Sequence, residues 1–101
     1  MDFQKLMQQA RQMQSDLLKI EDELNETEYI GASGGGAVQI TVNGSDEVQH
    51  VEINDDLMGA DNKEMLQDLI LIAMNEAVSK AKKDKEGRLG NVAGGLGIAG
   101  L

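Results

Sequence analysis

The feature that most restricts this chain is a heptad-spaced seam in its first two dozen residues. Phe3, Leu6, Ala10, Met13, Leu17, Ile20 and Leu24 recur at alternating intervals of three and four, the spacing of a helix with one narrow apolar edge. Gln4, Gln8, Gln9, Gln12, Gln14, Asp16, Glu21 and Glu23 fill the positions between. A helix polar over that much of its circumference cannot sink into a globular interior, so the seam must lie against another helix. At about 1.5 Å per residue, residues 2–26 make a rod of roughly 35 to 40 Å. Such a rod is as wide as a small domain, and part of it should project beyond the body that the other residues build. A second copy covers the seam most simply, which makes Phe3, Leu6, Met13, Leu17, Ile20 and Leu24 the expected dimerisation residues.

The rest of the chain supplies only a modest core. Phe3 and Tyr29 are the only aromatic residues among the 101, so the interior must be aliphatic, with six methionines as adaptable filler. Cysteine is absent, which excludes disulfides, thiolate chemistry and zinc sites built on sulfur, and fits a reducing compartment. No apolar run of about 18 residues occurs, and the N-terminus lacks the basic-then-apolar order of a signal peptide. These features predict a cytoplasmic protein with no membrane partner.

Beyond Leu24 the period changes. Glu28–Ser33 reads as a short edge or bent strand, and Gly34–Gly36 as a tight reversal. Ala37–Val42 then alternates, with Val38, Ile40 and Val42 on one face, before a turn at Asn43-Gly44-Ser45-Asp46. In the third strand Val48 and Val51 are three apart, which implies either a bulge or a strand starting near Gln49, with Val51 and Ile53 inward and His50 and Glu52 outward. Asp61 and Glu64 suggest a capping box for a second helix starting near Asn62. Its wide stripe (Met65, Leu66, Leu69, Ile70, Ile72, Ala73, Ala77, Val78, Ala81) suits packing on a sheet. The helix is expected to fray or end at Gly87, leaving one domain over 1–88 and a flexible Gly-rich tail over 89–101. The predicted fold is α+β: a long N-terminal helix, a three-stranded antiparallel sheet and a second helix packed on that sheet (α-β-β-β-α), as a dimer.

The net charge of −9 is unevenly spread. Residues 1–20 sum to +1, residues 21–64 to −11 and residues 65–101 to +1. The one basic cluster is Lys80, Lys82, Lys83, Lys85 and Arg88, opposed by Asp84 and Glu86. It reads either as a solvated helix end, whose lysines favour the negative pole of the helix dipole, or as a phosphate-binding patch. No catalytic set can be assembled. His50 is the sole histidine, the Gly34–Gly36 turn runs into a strand rather than a helix N-terminus, and Asp55-Asp56 and Glu21-Asp22-Glu23 lack the spacing of a calcium loop. The expectation is a protein that is not an enzyme and has no metal site, no cofactor and no small-molecule substrate.

Several stretches carry a resemblance. The opening Leu6-Met7-Gln8-Gln9-Ala10-Arg11-Gln12-Met13-Gln14, the run Val38-Gln39-Ile40-Thr41-Val42-Asn43-Gly44, the triplet Val51-Glu52-Ile53 and the helix start Lys63-Glu64-Met65-Leu66-Gln67-Asp68-Leu69 are together similar to the YbaB/EbfC family of small bacterial nucleoid-associated proteins. The resemblance spans roughly residues 3–84. It implies a homodimer in the cytoplasm and nucleoid that binds duplex DNA with loose sequence preference and alters its conformation. With that implication, Lys5, Arg11, Lys80, Lys82, Lys83, Lys85 and Arg88 become the expected DNA-binding residues. The alternative is a dimeric scaffold that docks onto another protein without touching DNA.

Overall fold

The computed structural model describes residues 2–95. Helix α1 spans Phe3–Glu26 and strand β1 Glu28–Ser33; β2 (Val38–Asn43) and β3 (Val48–Ile53) follow, and helix α2 spans Lys63–Gly95. The α-β-β-β-α order is therefore as expected, and the sheet is antiparallel in the order β1-β2-β3.

Local chemistry sets each boundary. The Asp2 side chain caps α1 by accepting a hydrogen bond from the Gln4 N–H at 3.0 Å. Thr27 ends the helix in an extended conformation, its N–H bonded to the Leu24 carbonyl. Between β1 and β2 the three glycines all have positive φ, of 62°, 68° and 91°, a run that side-chain-bearing residues resist. The β2–β3 turn closes on the Asn43 side chain, whose Oδ1 accepts from the Ser45 and Glu47 N–H groups at 2.9 and 3.0 Å.

The bulge alternative is the correct one for β3. Thr41 pairs with His50, but Val42 pairs with Val48, so Gln49 is the extra residue. That insertion puts Val48 and Val51 on the same face despite their spacing of three, the face that carries Val38, Ile40 and Val42.

Helix α2 covers this face, though not all of it. Val38, Ile40, Val42 and Leu57 are buried against Ala73, Ala77 and Ala81. The approach is closest over β1, where a Cβ on Gly31 would stand 1.9 Å from the Ala73 carbonyl oxygen and 2.5 Å from the Ala77 nitrogen. Ser33 Oγ donates to the Leu69 carbonyl at 2.6 Å, and Lys80 Nζ to the Ile30 carbonyl at 2.7 Å. The helix thus lies over β1 and β2 and leaves Val48 and Val51 of β3 about half exposed.

Two sequence expectations need correction. Asp61 lies inside a 3-10 turn, Ala60–Asn62, so α2 begins one residue later than expected and the Asp61–Glu64 box does not frame its start. The second correction concerns the tail: α2 continues through Gly87 and Gly90 to Gly95, so residues 89–95 are helical. The setting of this segment is tertiary: Leu89 lines a cleft with Leu17, Ile20 and Leu24 of α1, so the extension runs beside α1 despite the roughly 1 kcal/mol helix penalty of each glycine. Residues 96–101 of the expected tail lie outside the described residues.

Because Gly31 is in contact with the backbone of α2, Gly31→Ala is expected to destabilise the protein by at least about 3 kcal/mol, moving its urea midpoint by about 1 M or more. Equilibrium unfolding followed by circular dichroism checks this. A shift below a few tenths of a molar would mean that the helix slides away freely.

Candidate nucleic-acid interface

Beyond the sheet the two helices run side by side. Glu23 of α1 meets Arg88 of α2, and Leu17, Ile20, Glu21 and Leu24 line an open cleft of about 420 Å³ together with Gly44, Ser45, Asp46, Lys85 and Leu89. The Leu24 carbonyl accepts the Gly44 N–H at 2.8 Å, and Ser45 Oγ bonds Asn25 Oδ1, so the β2–β3 turn holds this end of α1. From there α1 runs outward. The particle measures 70 × 24 × 16 Å, which matches two helices overlapping only near their C-terminal ends.

The seam divides accordingly. Leu24 is buried and Met13 and Ile20 half-buried within the single chain, while Phe3 is 72% and Leu6 45% exposed. Leu17 stands at the edge of the cleft. Of the six expected dimerisation residues, then, Leu17, Ile20 and Leu24 line the cleft beside α2 of their own chain, and Phe3 and Leu6 are uncovered.

The expected DNA-binding residues divide too. Lys80 is tied down, with Nζ on the Ile30 carbonyl and 3.2 Å from Glu76 Oε1. Arg88 is bonded through Nε to Asp84 Oδ2 at 3.1 Å and through Nη1 to Glu23 Oε2 at 3.0 Å. Among the described residues, Lys5, Arg11, Lys82, Lys83 and Lys85 are exposed and make no ion pair. Lys5 and Arg11 stand on the projecting half of α1, and Lys82, Lys83 and Lys85 where α2 leaves the sheet. The acidic residues between 21 and 64 concentrate instead on the end of α1, the β2–β3 turn, β3 and the connection to α2.

A polar chain crosses the root of the arm. Tyr29 Oη donates to Asp84 Oδ2, the oxygen that also accepts from Arg88, and Arg88 reaches on to Glu23. Burial, reinforced by the hydrogen bond to Asp84, pushes the Tyr29 phenol up from 10.0 to about 12. The bonds from Tyr29 and Arg88 hold the Asp84 carboxyl below its ordinary value, and Asp84 in turn raises Arg88. Sequence reading missed Glu23, Tyr29 and Asp84, because the pairings span 65 and 55 residues and no local pattern announces them.

With this geometry in place, the profile of the YbaB/EbfC DNA-binding family matches residues 1–96. The chain belongs to the YbaB/EbfC DNA-binding family. Similar members include nucleoid-associated proteins from Clostridium novyi, 39% identical over all of this chain and 89% of the relative, and from Desulfotalea psychrophila, 40% identical over all of this chain and 95% of the relative. One from Chloroflexus aurantiacus is 43% identical over 95% of this chain and 96% of its own length. Among solved structures, an uncharacterised protein from Helicobacter pylori superimposes with a TM-score of 0.76 at 26% identity, covering 86% of this chain and 91% of its own. As a YbaB/EbfC member the chain falls in a DNA-binding family rather than an enzyme family. No helix among the described residues is long and apolar enough to cross a membrane.

Tyr29 is the only tyrosine and tryptophan is absent, so phenolate absorbance near 295 nm reports this group alone. In the folded protein it should rise around pH 12 rather than 10, and the Asp84→Asn variant should move it back towards 10. The sign for stability follows: a raised phenol pKa contributes fully below about pH 10 and is lost towards 12, whereas the depressed Asp84 contributes above about pH 4 and is lost on acidification.

Proposed function

We propose that this chain binds duplex DNA as a homodimer with little sequence preference and alters the duplex's conformation in the nucleoid. The observation that carries this reading is the set of exposed cations without an ion pair on the two helices: Lys82, Lys83 and Lys85 where α2 leaves the sheet, and Lys5 and Arg11 on the projecting half of α1. Helix-borne lysines of this kind neutralise phosphates, which carry no sequence information, so the expected binding is electrostatic and strongly salt-dependent. The exposed amides of Gln8 and Gln9 add uncharged contacts to sugar or phosphate, whereas Gln12 is already bonded to Asp16. The family and the names of the nucleoid-associated relatives support a DNA partner.

Self-association has its own support. Val48 and Val51 on the open edge strand and Leu71 on α2 are exposed apolar side chains, as are Phe3 and Leu6 on the outer seam, and an unprotected six-residue edge strand invites pairing. A twofold pair presents every cation twice, which lets one particle hold a duplex at two separated points and bend or bridge it. The scaffold reading is favoured by one observation, the net charge of −9, and charge-reversal variants decide between the two.

Combined reversal of Lys82, Lys83 and Lys85 to Glu should abolish the fluorescence-anisotropy response to labelled duplex at low salt and leave the melting temperature nearly unchanged. In the parent, each phosphate contact should contribute about 0.9 to the slope of log affinity against log salt. Duplex binding by the triple variant as tight as the parent's would make these lysines a solvated helix end and favour the scaffold. Light scattering tests the dimer: the parent is expected at twice its 10.9 kDa chain mass, and Val51→Asp at one chain mass. A monomeric Leu6→Asp beside a dimeric Val51→Asp would move the contact to the α1 seam.

A further inference from the structure

Arg88 is the most basic side chain of the α2 cluster, yet its surroundings argue against a phosphate partner. Its guanidinium lies between two carboxylates, Asp84 and Glu23, so its charge and its directed N–H groups are already engaged within the chain. We propose that Glu23, Arg88, Asp84 and Tyr29 form a clamp that sets the direction of the α1 arm against α2, and that Arg88 serves DNA binding as a positioning residue.

The geometry of the arm's root carries this inference. On one side α1 is held by the β2–β3 turn, through the Gly44 N–H to the Leu24 carbonyl and the Ser45–Asn25 bond. Those bonds fix the position of the C-terminal end of α1 but act as a single pivot. The apolar side chains of Leu17, Ile20, Leu24 and Leu89 that line the cleft give no direction to the helix and tolerate rotation about that pivot. Glu23 supplies the second attachment, through Arg88 to α2 and, by way of Asp84, to Tyr29 at the start of β1. Two attachments to different elements define a direction where one does not. The Arg88 fork spends two differently aimed N–H groups on the two carboxylates, an arrangement the point charge of a lysine cannot reproduce.

The lever is long enough for this to matter. Glu23 to Phe3 is 20 residues, about 30 Å of helix, so a tilt of about 10° at the root moves the tip by about 5 Å. That is larger than the roughly 3.4 Å of helix axis that each nucleotide of one strand occupies. Lys5 and Arg11 stand on this lever, and the same tilt would displace them by about 5 and 3 Å without removing either charge.

The inference rests on the DNA-binding reading for its consequence but not for its geometry, and the test separates them. The chain has no cysteine, so nitroxide labels at Gln9→Cys and Gln67→Cys report the angle between α1 and α2, with labelled protein diluted into unlabelled protein to suppress distances between copies. Electron–electron double resonance should give a narrow distribution for the parent and a distinctly broader one for Glu23→Gln, Arg88→Gln and Arg88→Lys. Glu23→Gln alters only an exposed side chain, so it stands in should the Arg88 variants fail to fold. In DNA titrations at several salt concentrations, Arg88→Gln should weaken binding several-fold with the salt slope unchanged. Unchanged distance distributions in all three variants overturn the clamp, whether or not DNA binds. A slope lower by about 0.9 with an unchanged distribution makes Arg88 a phosphate ligand instead. Absence of duplex binding by the parent defeats the functional proposal, and the clamp then stands or falls on the distance distributions alone.

Discussion

The close approach of α2 to β1 is the contact on which the remaining architecture depends. Gly31 lets the Ala73 and Ala77 backbone come within a distance that any side chain would block, and the small residues Ala73, Ala77 and Ala81 form the matching strip on the helix. Pulled tight over β1 and β2, α2 cannot also cover β3, and it leaves the sheet in a fixed direction. That direction brings Leu89 and Arg88 to the end of α1. The open edge strand and the projecting arm are thus two results of one tight interface.

Charge follows the same division. The sheet end and its turns carry most of the carboxylates, and the helices beyond it carry the unpaired lysines, so a sum of −9 describes neither part. Two of the five cations in the α2 cluster are bound within the chain, Lys80 on the β1 backbone and Arg88 in the carboxylate chain. What looks like one patch in the sequence is, in space, a set of free lysines beside a structural ion network. Solvated pairs such as Lys80–Glu76 contribute little energy. Geometry is their larger consequence, since they take charges out of circulation for external partners.

Much of the fold was legible because it is written in short-range periodicity. The heptad seam of α1, the alternation of Val38, Ile40 and Val42, and the Gly34–Gly36 and Asn43–Asp46 turns each declare an element locally, and even the Gln49 bulge was signalled by the spacing of Val48 and Val51. The extent of α2 was not. Gly87 and Gly90 argue locally for an end, and nothing local announces that the continued helix carries Leu89 into the cleft beside Leu17 and Ile20, some 70 residues earlier in the chain. The candidate interface was half legible for a related reason. Composition identifies lysines and arginines, but whether a cation is free depends on carboxylates brought near it by folding, as Glu23 is brought to Arg88.

The uneven covering of α1 gives that helix a gradient rather than a single stability. Leu24 is locked into the body and Phe3 stands in solvent, yet one hydrogen-bonded ladder runs between them. Without tertiary partners, a run of about ten residues holds its helical form only marginally. Amide protons near the tip are therefore expected to exchange faster than those near Leu24. The arm is in this sense a continuous helix braced at one end, and any surface that settles on its outer turns suppresses fraying of the tip as it binds.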